Sequence, residues 1–243
     1  MSNGSPDCIV FAGPSLPPAG VRGKGVVLRA PARRGDIAAL IARRRPGVLA
    51  LADGVFHQTL AVGHAELREA VGRGWQVWGL SSLGAIRACE MRHLGVRGYG
   101  AVYDRFVADD MFSDDEVALV HAPDPPYRAI SEPLIHIRVA LEALSASAVL
   151  TTGQRRTLTS RLKRLWYGER TLGRLRAEIL AIQPTARTPV DRWLAGFERF
   201  RIKTLDLERF LAERPWLPPV TSARPNTRAS ASSGPSDTRS SRR

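Results

Sequence analysis

Two adjacent serines, Ser81 and Ser82, stand where an apolar segment runs into a helical pattern, in the stretch WGLSSLGAIRACE. A hydroxyl at such a junction either caps the free amides of the first helical turn or acts as a nucleophile on a strand-to-helix turn. The hydrolase pattern G-x-S-x-G is only half met by each serine. Gly79 lies two residues before Ser81, and Gly84 lies two residues after Ser82. Both interpretations therefore stay open.

Two further polar groups follow apolar runs earlier in the chain. CIVFAGPSL leads into Ser15, and GVLALADG ends with Asp53. Continuous apolar runs are typical of strands buried on both faces of a parallel sheet. GVVLRAP and WQVWGL add two more strands, and helical patterns lie between them. The sequence thus predicts an α/β fold with a mostly parallel sheet and flanking helices.

In such a sheet the carboxyl ends of the strands meet at one edge, where open α/β proteins bind ligands. We therefore expect Ser15, Asp53 and the two serines to line one crevice. The helix that follows Ser82 points free amides, including that of Gly84, at this crevice, and these would stabilise an oxyanion. Arg87, one turn into that helix, is a further candidate ligand for an anion, although it is also spaced to pair with Glu90.

A nucleophilic serine requires a base, and the sequence offers three candidates. His64 begins the helical pattern HAELREA, and His57 precedes it; Asp53 could orient either ring. Lys24 is the lysine of the α/β part, but it would have to be desolvated to lose its charge. The ordinary interpretation is that a histidine at a helix start and a lysine in a loop are solvated surface residues.

Other motifs carry little chemistry. The cysteines Cys8 and Cys89 form neither a metal-binding spacing nor a disulfide framework, and Cys89 is expected to be a small core residue. SDDE (113–116) could bind Mg²⁺, but we favour a solvated acidic loop. Neither a phosphate-binding G-x-x-x-x-G-K-[ST] loop nor a G-x-G-x-x-G fingerprint is present, so a nucleotide-binding enzyme is supported only by the crevice. We expect no cofactor and no metal.

The 243 residues carry a net charge of +13. Part of this excess lies in the last residues and the rest is spread along helices, so it favours a basic surface for an acidic protein partner over specific nucleic-acid binding. The first residues lack the pattern of a secretory signal, and no apolar run is long enough to span a membrane. A cytoplasmic protein without membrane association is the expectation.

The pattern changes along the chain. Residues 1–130 are expected to form the α/β core, in which SDDEVALVHAP (113–123) would be a last strand after an irregular stretch around Tyr99 and Tyr103. Residues 131–220 are predicted to form successive helices, which make up a C-terminal helical part. Residues 221–243 are rich in Ser, Arg and Pro, and a disordered tail is predicted there.

Several blocks, in this order, resemble the TfuA-like family: VFAGPSL, PARRGDI, VLALADGVFHQTLAVGHAEL, GLSSLGAIRACEM, FSDDEVALVHA and SEPLIHIRVAL. The resemblance covers most of residues 8–141. It implies a role in peptide backbone thioamidation beside a YcaO-type enzyme, which activates the peptide amide with ATP. It further implies hydrolysis of a thiocarboxylated ThiS-type carrier protein by a hydrolase-like Ser-Lys pair, delivering sulfide.

The lysine of that pair is the point at which this sequence departs from the family. PARRGDI has Arg33 and Arg34 where a lysine would be expected, and arginine stays protonated. Either Lys24 substitutes, or His64 is the base, or catalysis is lost. The favoured function is therefore thiocarboxylate hydrolysis for sulfur delivery, with Ser81 or Ser82 as nucleophile. The alternative is a non-catalytic adaptor that brings the YcaO enzyme and its peptide substrate together.

Overall fold

The computed structural model describes residues 8–21, 24–55 and 60–218. The disordered tail predicted for residues 221–243 lies outside these residues. The strands are β1 (Cys8–Phe11), β2 (Val26–Arg29), β3 (Val48–Leu51), β4 (Gln76–Leu80) and β5 (Arg97–Tyr99). The α-helices are α1 (Asp36–Arg43), α2 (His64–Gly72), α3 (Leu83–Met91), α4 (Ala101–Ala108), α5 (Leu134–Ala146), α6 (Thr152–Lys163), α7 (Leu172–Ile182), α8 (Arg187–Ala195) and α9 (Ile202–Glu213).

The strands form one parallel sheet in the order β2-β1-β3-β4-β5. The predicted α/β class with flanking helices and a C-terminal helical part is thereby confirmed. Every residue of β1 and β3 is buried, which agrees with their continuous apolar sequences. β2 and β5 are the edge strands, and the loops that follow β1, β3 and β4 meet at the carboxyl edge of the sheet.

The two faces of the sheet are covered differently. Apolar side chains of α1 to α4 pack with Ile9, Leu49 and Val77 on one face. On the other face, α9 and the residues after it pack Phe210 and Trp216 against Trp78 and its neighbours. Helices α5 to α8 build a separate apolar cluster of their own. The last helix of the C-terminal part thus completes the core of the sheet.

The stretch between α3 and α5 differs from expectation. Residues predicted to be irregular form β5, which pairs with β4, and then α4. The segment predicted as a last strand is not one: Asp114–Glu116 is a turn of 3₁₀-helix, followed by an isolated bridge between His121 and Ala129. The physical reason is that β5 already occupies the edge of β4, while the Glu116 carboxylate is buried against the Arg138 guanidinium.

Helix α3 lies unusually close to the sheet, and glycine permits this. A Cβ atom on Gly84 would lie 1.6 Å from the carbonyl oxygen of Leu51, and one on Gly79 would lie 2.1 Å from the carbonyl oxygen of Gly84. The two glycines therefore let the helix backbone contact β3 and β4 directly. Gly95 has φ 89° and ends this helical segment after a short 3₁₀ extension, Arg92–Leu94.

No helix among the described residues is both long enough and apolar enough to cross a membrane.

Candidate functional site

A cavity of about 680 Å³ opens at the carboxyl edge of the sheet. It is bounded on one side by the loops after β1, β3 and β4, and on the other by the segment between α4 and α5 and by the start of α9. Its lining includes Arg33, Asp53, Ser82, Val117 and Lys203. Of the four polar residues expected to share one crevice, Asp53 and Ser82 line this cavity, whereas Ser15 and Ser81 do not.

Asp53 ties two of the loops together. Its Oδ2 accepts hydrogen bonds from the backbone N–H groups of Gly13 (2.8 Å) and Ser15 (2.9 Å), and its Oδ1 accepts one from Ser15 Oγ (2.8 Å). The carboxylate is almost fully buried and still lines the cavity. Three donors suit an ionised carboxylate, so the loop after β1 fixes a negative charge at the rim of the cavity. Ser15 itself is fully buried and does not line the cavity.

The two serines have different environments. Ser81 has φ 62°, a left-handed conformation that is uncommon for a residue with a side chain. It is fully buried, and its Oγ donates to the carbonyl oxygen of Lys203 at 2.8 Å. Ser82 lines the cavity, and its Oγ has no hydrogen-bond partner within the described ranges. The strained turn at Ser81 thus presents the hydroxyl of Ser82 to the cavity.

The amides at the start of α3 are mostly occupied. The Ser82 N–H donates to the carbonyl oxygens of Leu80 (2.7 Å) and Ala52 (3.2 Å), and the Gly84 N–H also donates to Ala52 (3.3 Å). The amide of Gly84, which the sequence suggested for an oxyanion, is therefore directed at the sheet. The Leu83 N–H has no acceptor in the part of the chain that the structure describes, so it is the unpaired amide of this turn.

Lys203, the second residue of α9, is the basic group at this cavity that sequence reasoning missed. Its side chain is 1% exposed, and its Nζ donates to the carbonyl oxygen of Val117 at 3.0 Å. Burial lowers the pKa of the Lys203 ammonium, although the charges of Asp53 and Glu132 act in the opposite direction. A buried lysine with a lowered pKa that lines the same cavity as a free hydroxyl provides the two groups that a serine nucleophile and its base require.

The backbone of Lys203 is held from both sides. Its carbonyl accepts the Ser81 hydroxyl, and its N–H donates to Nε2 of His136 at 3.4 Å. Because Nε2 accepts, the proton of the ring is on Nδ1, which donates to Glu132 at 2.9 Å. Burial lowers the pKa of His136 to about 4. Arg201 completes this cluster with two hydrogen bonds to the second oxygen of Glu132, at 2.6 and 3.0 Å.

Three of the candidates lie away from the cavity. Lys24 is exposed, and its carbonyl oxygen accepts a hydrogen bond from Arg214. His64 is exposed and pairs with Glu90 at 2.8 Å. Arg87 donates to the same carboxylate and to the carbonyl oxygen of Val62. The structure therefore brings Asp53 and Ser82 to the cavity, places Ser81 and Ser15 directly behind it, and does not bring Lys24, His64 or Arg87 there. His57 lies outside the described residues.

A metal site is not apparent in the described ranges, where no group of three or more His, Cys, Asp or Glu side chains could hold an ion. The acidic SDDE segment is instead neutralised by arginines. Asp115 pairs with the buried guanidinium of Arg170 at 2.6 Å, and Glu116 pairs with Arg138 at 2.7 Å. These ion pairs fasten Asp115 and Glu116 to the helical part, while Ser113 and Asp114 are exposed, so the segment is solvated only in its first half.

One signal in the sequence could have identified Lys203. In RIKTLDLERF, the residues four and seven positions after it are Leu207 and Phe210, which lie on the buried face of α9. A lysine on the apolar stripe of an amphipathic helix is either buried or forced to extend along the surface. The prediction from sequence is limited to Lys24, the lysine of the α/β part, and therefore misses the contribution of a distant helix.

A comparison with models of known protein families gives a match in the middle of the chain. Residues 53–171 match the family model described as TfuA-like protein. No curated protein matches the chain at a significant level. The matched segment contains Asp53, both serines and His136, whereas Lys203 lies beyond its end. Through residues 53–171, the chain belongs to the TfuA-like family.

Proposed function

We propose that this protein is an accessory factor of peptide backbone thioamidation that works beside a YcaO-type enzyme. In this proposal it hydrolyses the thiocarboxylated C-terminus of a ThiS-type carrier protein and so delivers sulfide. Family membership supports the pathway. The observation that carries the hydrolytic step is that the free hydroxyl of Ser82 and the buried amine of Lys203 line the same cavity.

The proposed reaction begins with neutral Lys203. Its Nζ accepts the Ser82 proton while Oγ attacks the carbon of the thiocarboxylate, R–CO–S⁻. The tetrahedral intermediate collapses, the C–S bond breaks, and hydrosulfide leaves. Water, deprotonated by the same amine, then cleaves the acyl-serine ester. The sulfide leaves as HS⁻ because Lys203 passes the Ser82 proton to it, which returns the amine to its neutral form. Ester cleavage then gives R–CO₂H, which loses its proton, so the sum is R–CO–S⁻ plus H₂O giving R–CO₂⁻ plus HS⁻ plus H⁺, with atoms and charge balanced.

The surroundings support each role. The Leu83 N–H is the amide directly after the nucleophile, which is the position that supplies an oxyanion hole at strand-to-helix turns. The start of α3 adds its favourable dipole. Arg33 lies at the cavity with an exposed guanidinium and could attract the anionic tail of the carrier. Asp53 stays hydrogen-bonded to the loop after β1, so its charge stabilises Lys203 in its protonated form after the transfer.

The experiment measures sulfide released from a thiocarboxylated ThiS-type carrier. We expect stimulated release by the wild-type protein and a loss of at least about a hundredfold, the usual contribution of such a group, in Ser82→Ala and in Lys203→Met. Ser15→Ala is the matched control, because its hydroxyl is buried behind Asp53 and does not line the cavity. It should retain release within severalfold.

The result also separates this proposal from an adaptor. If Ser82→Ala and Lys203→Met release sulfide as fast as the wild type, the catalytic assignment is wrong. If the wild-type protein stimulates no release but raises the affinity of the YcaO enzyme for its peptide, the protein acts as an adaptor and Ser82 is a structural residue. Folding of each variant is checked by its thermal unfolding curve.

A further inference from the structure

The edge of the sheet formed by β2 has an uncovered backbone. The carbonyl oxygens of Gly25 and Arg29 accept hydrogen bonds from β1, so the backbone groups of these alternate residues face inward. Since successive residues of a strand point their N–H and C=O groups in opposite directions, those of Val26 and Leu28 face outward. No strand pairs with this side of β2 among the described residues. The outward edge is therefore a template for another strand.

A groove of about 660 Å³ runs beside this edge, between β2 and α1. Its lining combines charged side chains with the apolar residues Phe11, Val27 and Leu40. Leu28 is 39% exposed at its rim, which is unusual for a leucine in a four-residue strand. A groove beside free backbone groups lets an added strand gain both main-chain hydrogen bonds and side-chain contacts.

The rim of the groove is strongly basic. Arg29, Arg43 and Arg44 are exposed there, and within the described ranges none of them forms an ion pair or a side-chain hydrogen bond. The carboxylate in the groove, that of Asp36, already accepts the Arg33 N–H at 2.7 Å. Three guanidiniums without acidic partners indicate an acidic occupant, because like charges gathered without counterions are unfavourable.

We propose that the β2 edge binds an extended, acidic segment of a partner protein, which adds to the sheet as a strand next to β2. Its backbone pairs with the outward groups of Val26 and Leu28, and its carboxylates contact Arg29, Arg43 and Arg44. This groove adjoins the cavity, with which it shares Ala30 and Asp36, but neither Ser82 nor Lys203 lines it, so the proposal does not depend on the function proposed above.

The charges and geometry exclude other occupants. A second copy of this chain, paired edge to edge, would bring six of these guanidiniums together. The residues of the chain's own C-terminal region, 221–243, have five arginines and one aspartate, so their charge has the same sign as the groove. A nucleic acid offers phosphates to the arginines, but it has no alternating amide donors and carbonyl acceptors to pair with an exposed strand edge.

The test uses the full chain and a fluorescent peptide of alternating glutamate and valine, with a lysine–valine peptide of equal length as its counterpart. We expect saturable binding of the acidic peptide and none of the basic one. The double variant Arg43→Glu/Arg44→Glu should weaken binding at least about tenfold, if each pair contributes close to 1 kcal/mol. The matched control is Arg68→Glu/Arg192→Glu, which makes the same charge change at exposed sites on α2 and α8.

Strand addition is tested separately from charge. Leu28→Pro removes one outward N–H without touching a hydrogen bond to β1, since proline is tolerated where the N–H of an edge strand faces solvent. We expect this variant to fold and to bind the acidic peptide at least about fivefold more weakly, as expected for one lost hydrogen bond of about 1 kcal/mol. In the wild-type protein, the Leu28 amide should become protected from hydrogen exchange when the peptide is added.

Several results would overturn the proposal. These are no binding of the acidic peptide, equal binding of the basic peptide, and full affinity in Arg43→Glu/Arg44→Glu. An unprotected Leu28 amide in the wild-type complex would mean ionic attraction without strand addition. A single-stranded oligonucleotide that competes for the groove more strongly than the peptide would identify a nucleic-acid surface. Self-association of the wild-type protein that Leu28→Pro abolishes would identify a second copy as the occupant.

Discussion

The buried imidazole of His136 makes a quantitative prediction about acid stability. Burial lowers the pKa of His136 from 6.5 to about 4, while in the unfolded chain the ring keeps its ordinary value. The neutral ring is needed because Nε2 accepts the Lys203 N–H. Because the pKa of His136 is lower in the folded protein, its contribution to the free energy of unfolding is fully present above pH 6.5 and is lost as the pH falls toward 4. Over this interval the unfolded chain binds the proton before the folded protein does.

The size of the effect follows from these two pKa values. Each unit of difference is worth about 1.4 kcal/mol, so the complete loss is about 3 kcal/mol. Between pH 7 and pH 5 the loss from His136 is about 2 kcal/mol. Asp206 opposes it: burial raises the pKa of that carboxyl from 3.8 to about 6, which stabilises the fold by about 1 kcal/mol over the same interval. The pH dependence of the wild type alone therefore does not isolate His136.

The assay is urea unfolding, followed by tryptophan fluorescence, of the wild type and His136→Gln at pH 7, 6 and 5. Glutamine does not titrate, and its side-chain oxygen can still accept the Lys203 N–H. The Asp206 contribution is common to both proteins and cancels. We expect the free energy of unfolding of the wild type, relative to the variant, to fall by about 2 kcal/mol from pH 7 to pH 5. Parallel curves, differing by under about 0.5 kcal/mol, would refute the assignment of a buried neutral His136.

Three further predictions concern packing, capping and the position of Lys203. Gly84→Ala should lower the free energy of unfolding in urea by at least about 3 kcal/mol, because its Cβ would clash with the Leu51 carbonyl. Gly72→Ala, where a Cβ would meet open space, should leave the free energy of unfolding unchanged. Equal losses in the two variants would contradict the close approach of α3 to the sheet. Asp206→Ala should lower the free energy of unfolding by about 1–2 kcal/mol at pH 7, because it removes the acceptor of the two amides that begin α4. An unchanged unfolding midpoint would show that this cap does not stabilise the fold. His136→Asn should slow sulfide release about tenfold, whereas His136→Gln should release sulfide at close to the wild-type rate, because only glutamine reaches the Lys203 N–H. Equal rates in the two variants would show that this contact does not position the lysine.

Local patterns in the sequence were sufficient for the parallel sheet. The continuous apolar runs of β1, β3 and β4 can only be buried on both faces, and the polar residues that end them must then meet at one edge. Asp53 and Ser82 are found there, as expected. The segments that were mispredicted, β5 and 113–123, are short and contain charged residues whose partners are distant in sequence, such as Glu116 and Arg138.

The sequence by itself determined the fold class and the edge of the sheet at which the cavity opens, because strand periodicity and chain direction are local properties. It left two serines equivalent and the base unassigned. Only the tertiary structure distinguished them: it buries the Ser81 hydroxyl against the backbone of Lys203, leaves that of Ser82 facing the cavity, and brings Lys203 from the ninth described helix to the fourth strand. A contact between residues more than a hundred positions apart depends on how α9 packs across the sheet, and no local pattern specifies that packing.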